Sequence, residues 1–363
     1  MTSMIYYYNN IGKLLNNNNN KNKNNDNSNK LSNRRNVLLS TATTASSLIF
    51  IQPSSSNAVD VDNNNNNRET QKETSLSSIQ FNSPSSCATN SKSTTSKPFP
   101  LASFGLQIYD NDKAYKLTLT ALESGYRNFF ASVLAGNQKG FAKAIRDSNV
   151  PLSDIYICGT VLSNRAQGYK AAYTKTFKGC EENIAIMSQY GNIPKLDMIM
   201  LDYPAGDNES IKGQWDAFQE FQRQNLVDDL AVSNFNARQL DAILVSNDNL
   251  CSKPVVNQLP FSISNHPQRY MEENSSRGIH VQSWSPLSST LPKYRDILTS
   301  IGTKYNKSAA QVGLRWIVQS GASYCVQSQS ASHFKEDLDV FDFSLSQGDM
   351  ERLNNLEPPR LLG

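Results

Sequence analysis

The chain lacks any CxxC pair, any long basic run in its apolar-rich part, and any apolar stretch of membrane length. Each absence argues against a class of function. The five cysteines, Cys87, Cys158, Cys180, Cys251 and Cys325, are scattered and odd in number, which argues against a disulfide framework and against a metal site. Cys158 and Cys325 lie in apolar runs and read as small buried residues. A net charge of +3 without a basic tract gives no electrostatic footprint for nucleic acid. No Gly-x-Gly-x-x-Gly follows a strand-like run, so the fingerprint of an open dinucleotide-binding sheet is missing too.

Apolar side chains are also scarce in residues 1–98. This segment is dominated by Asn, Ser, Thr and Lys, with few aromatics after Tyr6, Tyr7 and Tyr8, and cannot offset ordering entropy by burying a core. It is expected to be a disordered targeting and linker segment. Asp26 is the single acid among residues 1–33. Arg34-Arg35 opens an uncharged run through Ile51, and Ser56-Asn57-Ala58 puts small residues where a signal peptidase reads. The pattern resembles a Tat-type signal over about 34–58 behind an organellar transit peptide. Together the two resemble a bipartite plastid address ending in the thylakoid lumen, with cleavage expected after Ala58. The uncharged run is too short and too rich in Ser and Thr for a stable membrane span. The alternative is an Asn-rich tail that happens to hold two arginines, on a soluble cytoplasmic protein.

The compact part, 99–363, matches the ~250 residues of a (β/α)8 TIM barrel and can bury a sizeable core. Strand-like and helix-like runs alternate through it, as in a parallel α/β sheet. Eight strand candidates are 102–106, 127–131, 155–160, 197–201, 230–233, 255–259, 280–284 and 324–327. Most are short and apolar, as strands covered on both faces are. Between them, Ala114, Leu117, Ala121 and Leu122 form a helical stripe ended by Gly125, and Trp215, Phe218 and Phe221 form another. Asn236, Ser308 and Ser346 are expected N-caps. Eight such units favour a closed barrel.

Several segments, in order, resemble the aldo-keto reductase family. They are Gly125-Tyr126-Arg127, Val232-Ser233-Asn234-Phe235, Val256-Asn257-Gln258, Trp284-Ser285-Pro286-Leu287, Ala310-Gln311-Val312-Gly313-Leu314-Arg315-Trp316 and Asp339-Val340-Phe341-Asp342-Phe343-Ser344-Leu345-Ser346. The resemblance implies a barrel that binds NADP(H) across its C-terminal face and reduces carbonyls by hydride transfer. It also implies a tyrosine as proton donor, a lysine that lowers its pKa, an aspartate that holds the lysine and a histidine that orients substrate. This chain has Phe130 at the aspartate position, Ala135 at the tyrosine, Thr160 at the lysine and Asp202 at the histidine. Phe130 suits a site that has no lysine to balance. Of the neighbours, Tyr126 and Tyr156 lie toward the far end of their strands, Tyr203 is the nearest phenol, and Lys139 is a loop cation. Asp202 is the group placed to act as an acid in a rebuilt site.

Other positions carry over. Ser233, Asn234 and Gln258 match residues that hold the nicotinamide carboxamide, Trp284 the ring that stacks on nicotinamide, and Ser285, Leu287 and Ser289 the pyrophosphate loop. At the far end the family's Lys-Ser pair is Gln327-Ser328, and its 2′-phosphate arginine is His333. Glu336 and Asp337 match adenine-side positions. NADP or NAD is the cofactor implied, with a weakened 2′-phosphate site. Pro260 and Asn225 mark further drift from the family pattern. Three readings follow: a pseudoenzyme that binds a nicotinamide dinucleotide or another small molecule without ordinary carbonyl reduction, an NAD(P)H-dependent oxidoreductase with a rebuilt or weak site, and a non-catalytic scaffold.

Overall fold

The computed structural model describes residues 77–81, 97–245 and 252–356. The twin-arginine segment at 34–58, Cys87 and Cys251 lie outside the described residues. Two short strands, β1 (Ser78–Ile79) and β2 (Phe99–Pro100), pair antiparallel. Eight parallel strands follow, matching the eight expected runs: β3 (Ala102–Gly105), β4 (Asn128–Phe130), β5 (Tyr156–Val161), β6 (Leu196–Asp202), β7 (Val227–Ser233), β8 (Val256–Leu259), β9 (His280–Trp284) and β10 (Ser323–Val326). They close in chain order, β10 returning to β3, so the fold is a (β/α)8 barrel.

The helices are α1 (Asn111–Ser124), α2 (Gln138–Asp147), α3 (Tyr169–Gly191), α4 (Asn208–Arg223), α5 (Ala237–Leu244), α6 (Gln268–Ser275), α7 (Thr290–Thr303), α8 (Ala309–Gln319), α9 (Ala331–Leu338) and α10 (Gln347–Asn354). Their ends are set locally. Asn236 and Ser308 each form a reciprocal capping box, with Gln239 and Gln311, and the Ser346 side chain accepts from Asp349 N. Gly125 ends α1 in the left-handed conformation at φ 109°, where its N–H reaches two carbonyls of the last turn.

The two-residue period of the strands divides the core. Phe130, Tyr156, Cys158, Met198, Met200, Ala231, Val256 and Cys325 pack as one cluster, while Phe129, Ile157, Ile199, Leu201, Leu230, Val232, Val281 and Tyr324 belong to the larger core shared with the helices. Phe99 closes the amino end of the barrel. Its ring stands edge-on to Tyr156 at 5.1 Å, and Phe81 lies 5.2 Å from it. Both rings are 6.4 Å from His280, whose imidazole burial lowers to about 4, so it is neutral at pH 7. Lys97 bridges Asp197 at 2.8 Å and donates to the carbonyls of Leu152 and Ile155.

The folded unit therefore reaches upstream of residue 99. Ser77 accepts from Leu101 N at 2.9 Å, and Ile79 and Phe81 pack on the inner cluster. Average composition hid these few residues inside a polar segment.

Phe99 is fully buried, so Phe99→Ala is expected to cost about 3–5 kcal/mol in chemical denaturation. A loss below about 1 kcal/mol would show that the barrel does not depend on this seal.

Candidate functional site

The stretch 125–138 carries the chain from α1 through β4 to α2. Two side chains fix its turn. Asn137, fully buried, donates through Nδ2 to the carbonyls of Leu106 and Tyr109, and its Oδ1 accepts from Ser132 N at 3.1 Å. Thr160 Oγ1 accepts from Val133 N at 3.0 Å and donates to the Ala131 carbonyl at 3.2 Å. The loop after β4 is thus tied to the loop after β3 and to β5. Gly140, in the first turn of α2, passes so close to Asn111 that a Cβ would sit 2.0 Å from the Asn111 carbonyl oxygen. The Asn111 side chain accepts from Gly140 N and donates to the Gly136 carbonyl.

Phe130, Thr160 and Asp202 lie at or near the carboxyl ends of the neighbouring strands β4, β5 and β6, and Ala135 lies in the turn after β4. The four are brought to one side of the mouth. Phe130 is buried among Cys158, Met198 and Met200, and Ala135 is half-buried. Among these four only Asp202 titrates. Burial raises its carboxyl to about 7, and the Ser233 hydroxyl, which donates to it, pulls the other way. Tyr156 sits at the opposite end of the barrel, with its hydroxyl 2.8 Å from Asp229. Lys139 is exposed on α2, its ammonium 4.6 Å from the centre of the Tyr190 ring.

The next strands supply a polar rim. Ser233 ends β7, opposite Asp202 in register, and Asn234 follows in a left-handed conformation at φ 64°. Trp284 Nε1 donates to Asn234 Oδ1 at 3.1 Å, and Asn234 Nδ2 donates to Ser233 Oγ at 2.8 Å. Gln258 donates through Nε2 to Gln282 Oε1 at 2.7 Å, and Gln282 Nε2 donates to Ser103 Oγ at 3.0 Å. The amide oxygen of Gln258 takes part in neither bond. Ser285, at φ 48°, and Leu287 are half-buried, and the exposed Ser289 shares a hydrogen bond with Ser264 at the start of α7.

On the far side, Gln327 Nε2 donates to Gln107 Oε1 at 2.8 Å, and the Ser328 carbonyl accepts from the Tyr109 hydroxyl at 3.0 Å. His333 is exposed, with Nδ1 3.4 Å from Ser328 Oγ, and Glu336 is half-buried. Asp337 is buried on α9. Its carboxyl is pushed up to about 7 by burial and then by Glu336, against the Tyr126 phenol, and its carbonyl accepts from the Tyr324 hydroxyl at 2.6 Å. Gln282 and Ser103 carry no sequence pattern that marks them. Gln107 had a usable signal, being a polar residue just past the carboxyl end of a barrel strand.

Residues 101–358 match the family described as "Aldo/keto reductase family". The chain is similar to a glyoxal reductase of Bacillus subtilis, 29% identical over 72% of this chain and 90% of that protein. It is also similar to an aldo-keto reductase of Mycolicibacterium smegmatis, 26% identical over 73% of this chain and 92% of that one. Among solved structures, an aldo/keto reductase from Brucella melitensis superposes with a TM-score of 0.65 at 26% identity, covering 72% of this chain and 96% of the other.

The raised carboxyls set a pH dependence. A buried Asp337 with its pKa near 7, against 3.8 when unperturbed, contributes stability that is present below about pH 4 and lost as pH rises through 7. The denaturation midpoint of the protein is therefore expected to fall between pH 5 and pH 8, and to fall less in Asp337→Asn. Equal slopes for the two proteins would refute the assignment.

Proposed function

This chain belongs to the aldo/keto reductase family, and on that premise we propose that it is a dinucleotide-binding member that does not carry out the family's ordinary carbonyl reduction. The observation that carries this reading is what fills the place of the acid–base machinery. Phe130 is fully buried in an apolar cluster, and the Thr160 hydroxyl is committed to holding the turn. Ala135 has no proton to give. A bound reduced dinucleotide would supply hydride. The alkoxide formed on the substrate would then meet no tuned phenol and no ammonium, and loss of general acid catalysis typically slows such a step by about 10²–10⁴-fold.

The rim fits the nicotinamide end of the cofactor. Ser233, Asn234 and Gln258 are amide and hydroxyl groups at strand ends, as a carboxamide requires, and Trp284 offers a half-buried ring beside them. At the phosphate end the two positions where the family resemblance has fixed cations are changed. Gln327 bonds Gln107 where the family resemblance has a lysine, and His333 stands where it has an arginine. Strong preference for a 2′-phosphate is therefore not expected.

Asp202 supports a second reading. A carboxyl near 7 at the mouth holds a proton at neutral pH and could serve a weak, rebuilt oxidoreductase. The third reading, a scaffold, needs no dinucleotide at all.

Titrating the purified protein with NADPH and NADH, followed by tryptophan quenching, is expected to give binding of both within about tenfold of each other. Binding of neither would favour the scaffold. Glyoxal, the aldehyde for which the Bacillus subtilis relative is named, is the first carbonyl to assay. Cofactor oxidation dependent on it at an ordinary reductase rate would overturn the proposal. The combined change Phe130→Asp, Ala135→Tyr, Thr160→Lys and Asp202→His is expected to raise that rate by about 10²-fold or more if the rim is correctly built.

The leader adds a location to the proposal. Its twin arginines, uncharged run and Ser56-Asn57-Ala58 read as a plastid and thylakoid-lumen address. A fusion of residues 1–70 to a fluorescent reporter is expected to reach that compartment, and diffuse cytosolic signal would rule the address out.

A further inference from the structure

Asp202 ends β6 opposite Ser233, at the end of a row of polar side chains that starts at Trp284. Trp284 Nε1 donates to Asn234 and Asn234 Nδ2 donates to Ser233, and the Ser233 hydroxyl pulls the pKa of the Asp202 carboxyl down against burial. The two donors run in one direction, toward the carboxyl. Among the described residues no ion pair reaches Asp202. Across from β6 stand Thr160 and Val161 of β5 and Ser233 of β7, and Tyr203 follows in the chain. Burial raises the pKa of its carboxyl and the Ser233 hydroxyl lowers it. Such a carboxylate is best stabilised by a positive charge that a ligand brings.

We propose that Asp202 makes this site selective for the oxidised, positively charged form of a nicotinamide dinucleotide over the neutral reduced form. The inference rests on the dinucleotide reading of the rim and adds a direction to it. The two redox forms share adenine, riboses and pyrophosphate, so contacts at the far end largely cancel in the ratio of their affinities. What differs is the pyridinium charge, which contacts to Ser233 and Asn234 would bring beside Asp202, the register partner of Ser233. At that range, in the intermediate dielectric of a barrel mouth, the attraction is large enough for a preference of at least about tenfold. The group that elsewhere would orient a carbonyl becomes here the group that retains the spent cofactor and releases the hydride donor. The site then reports the oxidised pool instead of drawing on the reduced one.

Because the carboxyl titrates near 7, the selectivity has a pH signature. Above 7 the charge is present and the oxidised form is preferred, whereas toward pH 6 the group is increasingly protonated and the preference shrinks.

The test is calorimetric titration of the full chain with NAD+ and with NADH, at pH 6 and pH 8, in the natural protein and in Asp202→Asn. At pH 8 the natural protein is expected to bind NAD+ at least about tenfold more tightly than NADH. The ratio should contract toward one at pH 6, and should stay near one at both pH values in Asp202→Asn, whose amide can still accept from Ser233. Equal affinities for the two forms at pH 8, or a ratio that Asp202→Asn leaves unchanged, would overturn the proposal while leaving the dinucleotide reading intact. Failure of both ligands to bind the natural protein would instead remove the dinucleotide reading, and this inference with it. The pH comparison in the natural protein decides the matter even if the variant does not fold.

Discussion

An ionised side chain inside a closed eight-stranded barrel must bring a counter-charge or reach the mouth, because no water layer runs along the axis to screen it. That constraint orders this molecule from end to end. At the amino end Lys97 pairs with Asp197, and the imidazole of His280 is held neutral. Along the axis the side chains are Phe130, Cys158, Met198, Met200 and Cys325, with no formal charge among them. At the carboxyl end a carboxylate, Asp202, reaches the rim and stays only partly ionised at pH 7. An acid–base set in such a barrel is an all-or-nothing arrangement. A lysine without its aspartate, or the reverse, would leave a charge stranded, and Phe130 with Thr160 is a combination that leaves none.

The same logic explains how the turn after β4 holds its shape without ion pairs. Asn137 and Thr160 do with neutral hydrogen bonds what charged partners would otherwise do, joining the loops after β3 and β4 to β5. The result is a rigid, uncharged wall facing a polar rim built from Ser233, Asn234, Gln258 and Trp284. Asp202, at the end of β6, is the titratable group between that wall and the polar rim.

Much of this was legible in the residues, for identifiable reasons. Apolar strands and capped helices repeat with periods that sequence displays directly, so all eight barrel strands and the caps at Asn236, Ser308 and Ser346 could be placed. What escaped has physical causes. Phe81 and Phe99 act singly, Phe81 just past a two-residue strand inside a segment whose average composition is polar and Phe99 in a two-residue strand too short to have a period. The Gln258–Gln282–Ser103 relay depends on which way amides turn, and no linear pattern encodes that. The burial of Asp337 follows from its spacing of three from the buried Phe334 on α9.

The seal formed by Phe81 and Phe99 also has a temporal side. A chain is synthesised from its amino end, so these two rings emerge before any strand they will cover. Their partners arrive much later, Tyr156 with β5 and His280 with β9. Throughout that interval on the ribosome the aromatic floor of the barrel has nothing to sit on, and it can become a floor only when nearly the whole wall has been made.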